Sequence, residues 1–261
     1  MLATTNSAVI LRFWRRCARQ WIWLLQLAGL SFNGSAQINS ATNSISFAQK
    51  AERAYLAARQ RCEAEPTNSE AAWQLGRECF AWAEFATNHQ QRAAVATEGI
   101  RVCRQLAEHE PRLAAAHYYL ALNLGQLART KSLGALKIVD EMEREFKTAR
   151  FLDESFDYAG PDRSLGLLYR DAPGWPASIG SRSKARQHLS RAVELSQDYP
   201  ENHLCLLETY LKWGEKRNVR AESAELKKLI PKARKQFAGE SWAASWQDWD
   251  QQWERMLEKI R

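Results

Sequence analysis

Turn-forming and β-branched residues are scarce in this chain of 261 residues. It contains 12 glycines and 7 prolines against 39 alanines and 29 leucines, and only 6 valines and 9 isoleucines. Alanine and leucine favour helices, whereas valine and isoleucine favour strands. So few turn-formers exclude a β-sandwich, a β-barrel and collagen, and 45% apolar residues exclude a disordered chain. The composition predicts an all-α protein.

Motifs of catalysis and of cofactor binding are also missing. The sequence has no glycine-rich phosphate or dinucleotide loop, no GxSxG and no HExxH. Its five histidines form no pair with metal-ligand spacing, and His117, at the start of a predicted helix, is interpreted as a hydrogen-bonded structural residue. We therefore predict a protein that is not an enzyme and has no cofactor or metal.

Acidic residues are absent from the first 36 positions, which carry four arginines. Without that segment, the formal charge of +7 falls to +3, from 33 basic and 30 acidic residues. Because basic and acidic residues after position 36 are nearly equal in number, the net charge gives no argument for binding nucleic acid.

The same N-terminal segment has the pattern of a signal peptide. Arginines at 12–19 precede an uncharged run at 21–30, and Gly34-Ser35-Ala36 follows. Ten to twelve apolar residues are too few for a membrane span, which needs about 20. We expect cleavage after Ala36, export to the periplasm and a flexible lead over 37–45. A buried N-terminal helix or an uncleaved anchor is the alternative.

Apolar residues recur at helical spacing nearly to the end of the chain, which predicts ten helices. They are expected at 46–64, 69–87, 90–109, 112–128, 131–152, 162–170, 181–197, 201–214, 219–237 and 240–259.

A step of 45 residues relates the first helices of successive pairs. Leu75-Gly76 recurs as Leu120-Ala121, as Leu165-Gly166 and then as Tyr210-Leu211. A small residue beside a large one lets two helices approach closely, as a stacked hairpin requires. A period of 45 falls among helical solenoids. We expect an α-solenoid of four to five helical hairpins over residues 46–239.

Residues 162–200 carry the signature of one repeat, with Leu165-Gly166-x-x-Tyr169 in the first helix and alanines and leucines at helical spacing in the second. This segment resembles the tetratricopeptide repeat family, with a longer connection between its helices.

A narrower resemblance covers residues 66–213. It rests on Gly160-Pro161-x-Arg163, on Ala172-Pro173-Gly174-Trp175-Pro176 and on Tyr199-Pro200. These motifs are similar to the T-component family of tripartite ATP-independent periplasmic (TRAP) transporters. The resemblance implies a periplasmic helical-repeat protein that associates with the substrate-binding subunit of a transporter. The lipid-attachment cysteine of some members is missing, since Leu30 follows Leu27-Ala28-Gly29.

The loop over 171–180 is the candidate binding element. Pro173 and Pro176 each fix a backbone φ, and Gly174 between them permits a sharp turn, so the loop should be stiff. Trp175 at its tip is predicted either as the apolar wall of a ligand cavity on the concave surface or as a plug for the adjacent hairpin.

Tyr169, Arg163 and Asn123 are expected beside Trp175, because the repeat places them on neighbouring first helices. Asn123 interrupts an apolar helix and must hydrogen-bond either the backbone or a ligand. Arg163 is interpreted as a surface residue, as the partner of Asp157 or as the partner of a bound carboxylate.

The C-terminal segment 240–261 has a tryptophan stripe at Trp242, Trp246, Trp249 and Trp253. We predict a capping helix packed on residues 219–237, with contact at a membrane interface as the alternative. Nine basic residues within 212–235 form either a solvated face or a surface for an acidic partner.

Two functions are compatible with these features. The first is an exported adaptor whose concave surface binds a protein, such as a periplasmic substrate-binding subunit, or a small apolar ligand. The second is an envelope scaffold that assembles with proteins and binds no small molecule. Self-association is open in both.

Overall fold

The computed structural model describes residues 46–131 and 134–260, and these ranges contain ten α-helices and no β-strand. The predicted signal peptide and lead lie outside the described residues. The helices are α1 (Phe47–Ala64), α2 (Ser69–Glu84), α3 (His89–His109), α4 (Ala114–Ala128), α5 (Ala135–Leu152), α6 (Phe156–Asp171), α7 (Arg182–Leu195), α8 (Pro200–Trp213), α9 (Lys216–Gln236) and α10 (Ala243–Ile260), with a 3-10 turn at Glu240–Trp242 before the last.

Polar N-cap residues determine where several of the helices begin. Asn68 accepts hydrogen bonds from two backbone N–H groups of α2, Asn88 accepts one from α3, and Ser181 accepts one from α7. Such caps satisfy N–H groups that have no partner within their helix. The start of α6 differs most from prediction, because a left-handed segment at 157–159 precedes its regular part.

The helices pack as four hairpins, α2/α3, α4/α5, α6/α7 and α8/α9, with α1 before and α10 after them. The small residues of the 45-residue step lie where paired helices meet. A Cβ atom added to Gly76 would lie 2.1 Å from Cys103 Sγ on α3, and one added to Gly166 would lie 2.5 Å from Leu189 on α7. Glycine therefore permits the close approach that the repeat predicted.

The C-terminal helix covers the last hairpin. Trp246 and Trp249 are buried in one apolar cluster with Leu204 of α8 and Leu226 of α9, and Trp246 Nε1 donates to the carbonyl of Phe237 at 2.7 Å. The stripe thus packs on α8 as well as on residues 219–237. Within the described ranges, the helices lack the combined length and apolar character needed to cross a bilayer.

Two buried histidines link the helices of their hairpins. His117 Nδ1 lies 2.7 Å from Glu145 of α5, and His203 Nδ1 lies 2.6 Å from Glu222 of α9. The other nitrogen of each ring contacts a backbone carbonyl six residues earlier in the chain. The structural interpretation of His117 is therefore confirmed.

These contacts make stability depend on pH. The hydrogen bond to Glu145 raises the pKa of His117. Burial alone would lower the pKa of His203, but the hydrogen bond and charge of Glu222 outweigh it and raise that pKa. Because the folded-state pKa values exceed the unfolded value of about 6.5, the stabilisation is complete below that pH and is lost as pH rises through the folded-state values.

We expect the free energy of unfolding to fall as pH rises above about 6.5, the unfolded-state pKa of histidine. A His117→Gln/His203→Gln variant should lose less over that range. Urea unfolding at several pH values measures both slopes. Parallel slopes for the two proteins would contradict this assignment.

Candidate partner-binding surface

Trp175 lies at the tip of the connection between α6 and α7, and 89% of its surface is exposed. The expectation that it forms the wall of a cavity within this chain is therefore wrong, and so is the expectation that it plugs the hairpin. Ile179 supplies the apolar side chain that the loop packs against the main core. Trp175 is left free to contact another molecule.

Backbone contacts hold this loop firmly. Gly180 N donates to the carbonyl of Pro173 at 2.8 Å, and Ser181 N donates to that of Tyr169 at 2.9 Å. A Cβ atom at Gly180 would lie 2.1 Å from the carbonyl oxygen of Ala172, so only glycine fits. The prolines at 173 and 176 restrict the backbone further. A stiff loop loses little conformational entropy when it binds.

Arginines and an aromatic ring flank the base of the loop. The guanidinium groups of Arg182 and Arg186 lie 4.8 and 5.3 Å from the ring centre of Trp213. Both arginine side chains are more than two-fifths exposed. Tryptophan and arginine are enriched among the residues that dominate the energy of protein interfaces. We call Trp175, Arg182, Arg186 and Trp213 the Trp175 surface.

The Trp175 surface carries more positive than negative charge. Glu215 accepts hydrogen bonds from Arg186 at 2.5 and 2.9 Å and lies 3.6 Å from Arg182. These contacts, the hydrogen bond from Arg186 above all, lower the pKa of Glu215. One carboxylate thus faces two arginines. Lys184 lies on the opposite face of α7, 4.9 Å from the ring centre of Tyr169 and near Glu143. The surface suits an acidic partner.

Tyr169 is buried beneath this surface. Its hydroxyl donates to Glu143 at 2.5 Å, and its ring stacks on His188. Burial and the Glu143 carboxylate raise the pKa of Tyr169 above its usual value. Tyr169 therefore supports the hairpin at the base of the loop and does not face the exterior.

Arg163 is buried in a network at the other end of α6. It donates to Asn202 Oδ1 at 2.9 Å, to Asp157 Oδ2 at 3.1 Å and to the carbonyls of Asp157 and Tyr158 at 3.3 Å. The predicted contact with Asp157 is present, and the surface interpretation is wrong. The network holds residues 157–159, which all have positive φ. Such conformations cost roughly 1–2 kcal/mol for each non-glycine residue.

Asn123 is fully buried and bonds to the backbone. Its Nδ2 donates to the carbonyls of Gly76 and Tyr119, both at 2.8 Å, so it links α4 to α2. Asn123, Arg163 and Tyr169 therefore act inside the fold, and the structure does not bring them together with Trp175.

Cavities among the described residues lie elsewhere, and neither of the following two is lined by the four predicted site residues. One, of about 630 Å³, runs between α5 and α7 above Asp162, whose carboxylate is bound by Arg150 and His188. The second, of about 270 Å³, lies between α8 and α10.

Sequence reasoning missed Asn202, Trp213 and the arginines at the start of α7. Asn202 stands 45 residues after Asp157, so the repeat step could have paired these positions. Arg182 and Arg186 are four residues apart, which places them on one helical face. No local signal in the sequence predicts that Trp213, on the following hairpin, packs against Arg182 and Arg186.

Comparisons with known proteins agree with this architecture. The structure is similar to the crystal structure of a thermophilic TPR protein from Thermus thermophilus, with a TM-score of 0.59, 20% identity and coverage of 80% of this chain and 91% of that one. The fold is a tetratricopeptide-like α-solenoid.

Sequence comparison gives a different family from the one expected. Residues 36–147, less than half of the chain, match the family described as regulator of microtubule dynamics protein 1-3. A search of curated proteins gives no match. The resemblance to the TRAP T-component family is not confirmed by these comparisons.

Proposed function

We propose that this chain is a non-enzymatic module that binds an acidic segment of a protein partner through the Trp175 surface. The exposed indole of Trp175 carries the proposal. A tryptophan held by a stiff loop and left 89% exposed can bury a large apolar area on a partner with little loss of conformational entropy.

The charge of the surface supports the choice of partner. Arg182 and Arg186 are both more than two-fifths exposed, and Glu215 offsets only part of their charge. Complementary charge raises association rates and disfavours basic competitors. The tetratricopeptide-like scaffold is consistent with this role, because stacked helical hairpins present extended surfaces to proteins.

The variant Trp175→Ala tests the proposal. Because its side chain is exposed, the variant should unfold at nearly the wild-type denaturant concentration. Its affinity for the partner should fall by at least about tenfold, since an interface tryptophan typically contributes about 2 kcal/mol or more. Affinity capture with quantitative mass spectrometry identifies the partner, and titration of the purified pair measures the loss.

Phe151→Ala is the matched control. Phe151, near the C-terminal end of α5, is 88% exposed. This end of α5 precedes the start of α6, whereas the loop of Trp175 follows the end of α6. The control should retain every captured protein. A partner bound equally well by wild type and by Trp175→Ala would exclude this surface.

Export and transporter association are narrower proposals. Export rests on the basic and apolar runs of residues 1–36, and association with a TRAP-type transporter rests on the motifs between residues 160 and 200. A periplasmic substrate-binding subunit would be the partner in that case. The match to the family described as regulator of microtubule dynamics protein 1-3 ends at residue 147, before the residues of the Trp175 surface.

A further inference from the structure

The cavity between α8 and α10 differs in chemistry from the Trp175 surface. It has a volume of about 270 Å³, close to the lower end of the range for small-molecule pockets, which begins at about 300 Å³. Its walls include Glu208, Leu211 and Lys212 from α8 and Arg255, Met256 and Lys259 from α10.

The charges on the α8 wall are compensated within the protein. Glu208 accepts a hydrogen bond from Arg170 at 2.9 Å, and Lys212 donates to Asp171. These four residues carry no net charge together. The positive charges left among the lining residues are those of Arg255 and Lys259 on α10, and the carboxylates of Asp248, Glu254 and Glu258 act on Arg255 from the same helix.

One nitrogen of the Arg255 guanidinium lacks a hydrogen-bond partner in the part of the chain that the structure describes, although the side chain as a whole is only partly buried. Its Nη2 atom is buried without a hydrogen-bond acceptor among the described residues, and burial lowers the pKa of this arginine. Asp248, on the same face of α10, accepts a hydrogen bond from Gln252 at 2.7 Å, and its other oxygen is buried without a hydrogen-bond partner within the described ranges. Burial raises the pKa of Asp248 to about 7, so at neutral pH its carboxylate offsets the charge of Arg255 only in part. A buried donor nitrogen is costly unless an acceptor pairs with it, and a carboxylate is the acceptor that suits a guanidinium best.

We propose that this cavity binds a small organic carboxylate that pairs with Arg255. Arginine offers a planar pair of donors that matches a carboxylate. Lys259 at the rim adds a second positive charge. Leu211 and Met256 supply an apolar wall for a short hydrocarbon chain attached to the carboxylate. An inorganic anion would leave that wall unused.

Hexanoate is a suitable probe, with acetate and inorganic phosphate for comparison. We expect saturable binding of hexanoate to the full chain, at least about threefold tighter than that of acetate, because its extra methylene groups contact the apolar wall. Arg255→Gln should weaken binding of hexanoate by about tenfold or more, the usual effect of losing a charge-assisted hydrogen bond. Isothermal titration calorimetry measures both ratios.

Arg217→Gln is the control, since it removes the same charge from an exposed position on α9. It should bind hexanoate as wild type does. If Arg255→Gln melts early, Lys259→Gln replaces it, with an expected weakening of about threefold from the loss of one rim charge. Equal affinity of wild type and the cavity variants, phosphate bound as tightly as hexanoate, or the absence of saturation would each overturn the proposal.

Discussion

Arg163→Leu is expected to lower the free energy of unfolding by roughly 3–5 kcal/mol, because several acceptors lose a charged donor at once and each buried acceptor left unpaired costs about 1–3 kcal/mol. The substitution leaves Asn202 Oδ1, two backbone carbonyls and the Asp157 carboxylate without their common donor. It also removes the group that holds three left-handed residues in place. Urea unfolding followed by circular dichroism measures the difference.

Arg104→Leu is the matched control for this prediction. Arg104 pairs with Glu141 at 2.6 Å, but both side chains are exposed to solvent by more than a quarter. Exposed ion pairs contribute about 1 kcal/mol or less, so the control should change little. Similar losses for the two variants would show that the network around Arg163 has no special role.

Truncation after Gly239 is expected to cost at least as much stability and to make the chain aggregate. Removal of α10 uncovers the apolar faces of α8 and α9, against which Trp246, Trp249 and Met256 are buried. The last repeat of a solenoid needs such a cover to stay soluble. Light scattering and thermal unfolding measure the two effects.

A single substitution tests the packing of α10 without removing the helix. Trp249→Ala should lower the free energy of unfolding by about 3–5 kcal/mol, as for other buried aromatic side chains. Glu258→Ala on the exposed face of α10 should have little effect. A truncated chain that stays monomeric and stable would mean that the tryptophan stripe serves an external partner.

Much of the fold follows from local patterns in the sequence. Apolar periodicity and the capping residues Asn68, Asn88 and Ser181 determine where helices lie, and the 45-residue step determines which helices pair. The close contacts at Gly76 and Gly166 follow from that step, because a side chain at either position would clash with the second helix of the hairpin.

The candidate site was less predictable, for a physical reason. The sequence shows that the loop of Trp175 is stiff, but not on which side of it the indole lies. In the structure Ile179 packs on the core, whereas Trp175 faces the exterior. The roles of Arg163 and Asn123 also depend on partners far away in sequence, Asn202 and Gly76, which only the superhelix brings near.

Hydrogen–deuterium exchange on the complex with the captured partner tests the central claim most directly. If the Trp175 surface is the contact, amide exchange should slow over residues 172–186 and at the end of α8 around Trp213. Exchange near Phe151 should stay unchanged. Slower exchange confined to other parts of the solenoid, with residues 172–186 as fast as in the free chain, would contradict the account.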